Sequence, residues 1–151
     1  MKKYVLLLII PFTFYACNSP QKTEGNKEES ISVEEVSTKE EKGVFFVSPS
    51  EGGVVQNPVK VVFGVKGMEI EPAGEVKEGK GHHHIIIDGS FIKKGVVVPA
   101  DSMNIHYGKG QTETELTLSP GEHTLTMQFA DGFHQSYGEE WSNTISITVG
   151  E

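Results

Sequence analysis

From Gly43 onward the chain is cut into short runs rich in valine, isoleucine, threonine and aromatic residues, each bounded by Gly, Pro, Asp-Gly or Pro-Gly. β-Branched and aromatic side chains suit a pleated, half-buried surface, and no stretch repeats its apolar residues at helical spacing. Seven runs stand out, at 44–47, 59–65, 82–88, 104–107, 114–118, 123–130 and 144–149. Seven short strands in about a hundred residues predict an all-β chain folded as a single immunoglobulin-like β-sandwich. With 151 residues, 36% of them apolar, the chain has material for one modest core and not for two.

The first residues read differently. Lys2 and Lys3 precede an apolar run over 4–10 and then Pro11, the layout of an export signal and too short for a permanent membrane span. The run ends at Phe14-Tyr15-Ala16-Cys17. A small residue directly before the chain's single cysteine resembles the lipobox of bacterial lipoproteins, in which that cysteine is lipidated and becomes the new N-terminus. Residues 1–16 are therefore expected to be a lipoprotein signal peptide and Cys17 the lipidation site. Residues 17–42 are too rich in Ser, Glu, Lys and Thr to bury a core and are expected to be a disordered tether to the sandwich at 43–151. Their acidic pairs, Glu28-Glu29, Glu34-Glu35 and Glu40-Glu41, resemble the charged stretch that sends some lipoproteins to the cell's exterior. The expected location is the bacterial cell envelope, periplasmic or outward-facing. The membrane is the expected partner through Cys17, with an envelope protein as a further one.

Several chemistries are closed. With Cys17 spent as an anchor, no thiol remains for a disulfide, a thiolate metal site or a cysteine nucleophile. The net charge is −8 and there is no arginine, which argues against nucleic acid. Losing Lys2 and Lys3 with the leader would take the charge to about −10. The stretch Gly108-Lys109-Gly110-Gln111-Thr112-Glu113 has no helix behind it, so it reads as a tight turn and not as a nucleotide-phosphate loop.

Six histidines carry what remains. Residues two apart on a strand share a face. In Gly81-His82-His83-His84-Ile85-Ile86-Ile87-Asp88, His83 joins Ile85 and Ile87 on the core side, while His82 and His84 fall on the more exposed side. Imidazoles at i and i+2 have Cα atoms about 6.5–7 Å apart, near enough to converge on one ion. A zinc site needs three or four protein ligands. His106 and His134, each at the end of an expected strand beside glycines, are the candidates to join His82 and His84. His123 shares a face with Leu125, Met127 and Phe129 and is expected to be a core histidine bonded to backbone or to His83. Asp88, Gln111 and Glu113 are expected to support the ligands from behind, and Met68 and Met103 could offer thioethers to copper(I).

The ordered set Ser48-Pro49, Asn57-Pro58, Gly81 to Asp88, Ile105 to Glu113, Pro120 to Leu125 and Ala130 to His134 resembles the bacterial domain-of-unknown-function family 4399 (DUF4399) over almost the whole sandwich. The resemblance implies an exported or lipid-anchored, histidine-rich, all-β domain and brings no established reaction.

The expected function is an envelope-anchored lipoprotein that binds copper or zinc through histidines without catalysis. Its affinity should fall below about pH 6.5, where protons compete for imidazole. Two alternatives stand beside it. One is a metal-free surface module for a protein or glycan, with Trp141, Tyr137, Phe133 and Tyr107 as its aromatic patch. The other is a zinc hydrolase using His82, His84 and His106, with Glu113 as general base.

Overall fold

The computed structural model describes residues 42–151. The leader, Cys17 and the tether up to residue 41 lie outside the described residues.

Among the described residues nine strands follow one another: β1 (Gly43–Ser48), β2 (Gly53–Val55), β3 (Val59–Lys66), β4 (Glu69–Ile70), β5 (Lys80–Ile87), β6 (Asn104–His106), β7 (Glu113–Leu116), β8 (Gly121–Ala130) and β9 (Ser142–Val149). One 3-10 turn, Glu139–Trp141, precedes β9. One sheet has the order β1-β3-β7; the other has β2-β9-β8-β5-β4, with β6 also pairing with β5. Each of the seven expected runs contains a strand. The count exceeds seven because β2 and β4, of three and two residues, are too short to show a period.

The alternating side chains explain the two layers. Val59, Val61 and Phe63 of β3 meet Ile85 and Ile87 of β5, Leu125, Met127 and Phe129 of β8, and Ile145, Ile147 and Val149 of β9 in one apolar cluster. The result is a two-sheet β-sandwich. Trp141 is buried in the same cluster, its ring 6.1 Å from that of Phe129, and Tyr107 is buried beside Phe63. Of the expected aromatic patch, Tyr137 packs against this core and Phe133 is exposed.

The outer face of the larger sheet is not open to water where it matters. The connection from Asp88 to Met103 crosses it and is bonded there. Thr126 Oγ1 donates to the Gly89 carbonyl, Ile92 N–H donates to Gln128 Oε1, and Ser136 Oγ donates to the Ile92 carbonyl. Val98 N–H then bonds the His134 carbonyl, and Val98 is itself buried. Under this cover every residue of β5 after Lys80 is buried, on both faces.

Candidate functional site

Register places the histidines. β5 pairs antiparallel with β8, matching His82 with Ala130, His83 with Phe129 and His84 with Gln128. On the other edge β6 matches His106 directly with His84. Cross-strand partners share a face, so His82, His84 and His106 stand on the outer face and His83 points inward. His83 lies against Phe63 and Phe129, with ring centroids 5.2 and 5.0 Å away.

The fourth imidazole comes from the turn after β8. Asp131 organises that turn: its Oδ1 accepts from Phe133 N–H at 2.8 Å and from Gln135 N–H at 2.9 Å, and its carbonyl accepts from His134 N–H. This holds His134 at φ 65°, a left-handed conformation disfavoured for a residue with a Cβ. Gly132 lies against the Gly74–Glu75 backbone, where a Cβ has no room. Ala73 N–H bonds the Gly108 carbonyl and Gly74 N–H the Gly132 carbonyl, so the segment before β5 ties the loop carrying His106 to the turn carrying His134.

One nitrogen from each of His82, His84, His106 and His134 lies within 4.8 Å of the others. Nε2 of His82 is 2.9 Å from Nδ1 of His134 and 3.1 Å from Nε2 of His106. A neutral imidazole nitrogen has one in-plane site, either a proton or a lone pair, so Nε2 of His82 can pair well with only one of these neighbours. The arrangement suits a cation that accepts lone pairs from every side. His82 and His84 are fully buried, His134 is half-buried and His106 is exposed, so the cluster opens to solvent on the His106 and His134 side.

His82, His84 and His106 are held toward the neutral state a metal ligand requires. Burial, reinforced by His106 and His134, pulls the pKa of His82 down to about 4. Burial, reinforced by the other histidines, pulls His84 to about 2. His106 is lowered as well, by burial first and then by His134. Lone pairs are therefore free at neutral pH. The onset of proton competition expected at the ordinary imidazole value moves to lower pH for His82 and His84.

Several expectations need correction. His82 and His84 do face away from the core, but they are buried: the rings of His106 and His134 pack against them, and the Asp88–Met103 connection is bonded to Gln128, the strand partner of His84. His123 does not meet His83. It sits at the far end of the core face, where Nδ1 pairs with Asp88 Oδ2 at 2.9 Å and Nε2 meets the Ser119 carbonyl at 2.9 Å. Asp88 is thus committed to His123 and to Thr124 N–H, away from the ligand nitrogens. Ser119 Oγ also lies 3.1 Å from Nε2 of His123. The shorter contact is to the Ser119 carbonyl, which takes an N–H, so the trio ties the end of β5 to the start of β8. Gln111 closes its own loop by accepting from Lys109 N–H. Glu113 is on β7 in the other sheet, 3.1 Å from Lys60 Nζ, and is not a base at the histidines. Met68 packs against the core, and the Met103 carbonyl bonds Ile87 N–H at the end of β5 remote from His82.

A family model described as a domain of unknown function (DUF4399) matches residues 61–150. The chain belongs to the DUF4399 family. The DUF4399 match runs from β3 to β9 and spans all six histidines together with the covering connection. Comparisons with curated proteins and with solved structures gave no match.

Gly108 is one of the glycines expected beside His106, but its contact with the ring is not visible in the sequence. A Cβ there would lie against Nε2 and Cε1 of His106. Changing Gly108 to Ala is expected to push the exposed His106 ring aside. Metal affinity should fall about tenfold to a hundredfold, the range seen when a ligand loses its support, while the melting temperature without metal changes little. Calorimetric titration beside a melting curve checks both, and an unchanged affinity would show that the ring position is not set by this glycine.

Proposed function

We propose that this DUF4399 chain binds a transition-metal ion through His82, His84, His106 and His134, without catalysis, as an envelope lipoprotein anchored to a bacterial membrane through Cys17. The supporting observation is the convergence of four imidazoles from three separate elements, with two of them fully buried. Imidazole suits copper and zinc alike. The leader pattern supports the anchor, and the acidic charge supports a cation over an anionic ligand.

Titration of zinc(II) and copper(II) into untagged protein, beside His82→Ala/His84→Ala, tests the reading. Stoichiometric binding that disappears in the variant is expected. Equal weak binding by both proteins would retire the metal reading and leave a surface interaction module. Labelling of cells with a radioactive fatty acid, with Cys17→Ser as control, tests the anchor.

A further inference from the structure

We infer that the ion at this cluster is tetrahedral and of the zinc(II) class, with all four positions filled by imidazole. The inference rests on the metal-binding reading and adds its coordination number and metal class. Zinc–nitrogen bonds of 2.0–2.1 Å place each ring centroid about 3.2 Å from the ion, so a tetrahedron separates all six centroid pairs by about 5.2 Å. A square array, the preference of copper(II) and nickel(II), would instead give four separations of about 4.5 Å and two of about 6.4 Å.

The observed set follows the first pattern. His82–His84 is 4.8 Å, His82–His106 and His84–His106 are each 4.9 Å, and His82–His134 is 5.0 Å. The two outliers both involve His134, at 4.2 Å from His106 and 5.8 Å from His84. No pair reaches the separation of opposite corners of a square. His134 is also the ligand on a turn, and a shift of that ring away from His106 and toward His84 evens the set.

Donor chemistry points the same way. Copper(I) shares the tetrahedral preference but favours soft sulfur, whereas Met68 packs against the core and Met103 stands at the end of β5 remote from His82. Four imidazoles saturate tetrahedral zinc and leave no position for a reacting water, the arrangement of sites that hold an ion and do not turn over substrate. Loading proceeds from the side of His106 and His134, the two ligands that solvent reaches. The hold is moderate. Nδ1 of His82, opposite its converging nitrogen, is buried without a hydrogen-bond partner among the described residues, whereas tightly held zinc has a carboxylate or carbonyl behind each ring. The ion should therefore exchange with a chelator and not be locked in.

Cobalt(II) and zinc(II) loading of the full-length protein in detergent tests the inference. Intense visible ligand-field bands for cobalt, and four nitrogens at one distance by zinc X-ray absorption, are expected. His134→Ala should turn that shell into three nitrogens and one oxygen and weaken the bands. Weak bands in the unaltered protein would overturn the tetrahedral assignment, and a water oxygen already in its zinc shell would overturn the filling of all four positions by imidazole; either leaves the metal reading standing. If neither ion nor copper(II) binds above the His82→Ala/His84→Ala background, both fail together.

Discussion

Replacing His83 by leucine is expected to raise the melting temperature of the metal-free protein by about 10 °C while leaving metal affinity unchanged. His83 is fully buried between Phe63 and Phe129, and neither of its ring nitrogens has a hydrogen-bond partner among the described residues. Whichever tautomer it adopts, one N–H and one lone pair are withheld from water. A buried polar group left unpaired costs about 1–3 kcal/mol. Leucine, similar in bulk and without polar atoms, should recover about 2 kcal/mol, which for a domain of this size corresponds to roughly 10 °C. Because His83 faces inward while His82 and His84 face outward, the ligand set is untouched. Melting curves with and without zinc separate the two effects. A fall in melting temperature would mean that an internal water or another partner satisfies the imidazole, and the account of a costly core histidine would be wrong.

That histidine also shows what could be read from the chain itself. The inward face of His83 and the shared face of His82 and His84 follow from the period of two, and β5 obeys it. The burial of the outer pair does not follow from any period, because its cover is an irregular connection. Its hold on β5 and β8 comes from bonds such as Ile92 N–H to Gln128 Oε1 that join residues far apart in sequence. The four ligands were named because imidazoles beside strand ends and glycines can meet, but their register comes from the pairing of His84 with His106. Glu113 was misplaced for the same reason. It lies only seven positions after His106, yet β6 and β7 belong to opposite sheets, and a local pattern carries no sign of that crossing. Alternation gives His123 its face but not its depth, since it does not say how far along a strand the core extends.

The metal-free protein is expected to unfold in mild acid, with a midpoint near pH 5. Burial holds His82 and His83 at about 4 and His84 at about 2, against an ordinary value of 6.5. The unfolded chain therefore binds more protons than the folded one below pH 6.5, and stability falls as pH falls. The loss begins at 6.5 and continues down to the folded-state values. At pH 5 it amounts to about 2 kcal/mol for each ring, on the order of 6 kcal/mol together, as large as the whole stability of many domains. His123 has the opposite sign. Its partner Asp88 raises its pKa, with a further contribution from the Ser119 carbonyl, so its contribution is fully present below pH 6.5 and fades as pH rises through the folded value. This offsets part of the loss without reversing it. His83→Leu should remove one of the three acid-sensitive groups, lowering the slope of stability against pH by about 1.4 kcal/mol per unit. Bound metal should move the midpoint lower by opposing protonation of His82 and His84. Circular dichroism from pH 7.5 to 3.5, in chelator and then in zinc, follows each effect. Stability that stays level from pH 7 to 4.5 in chelator would show that these rings are not held neutral by burial, and the electrostatic basis of the cluster would need a different source.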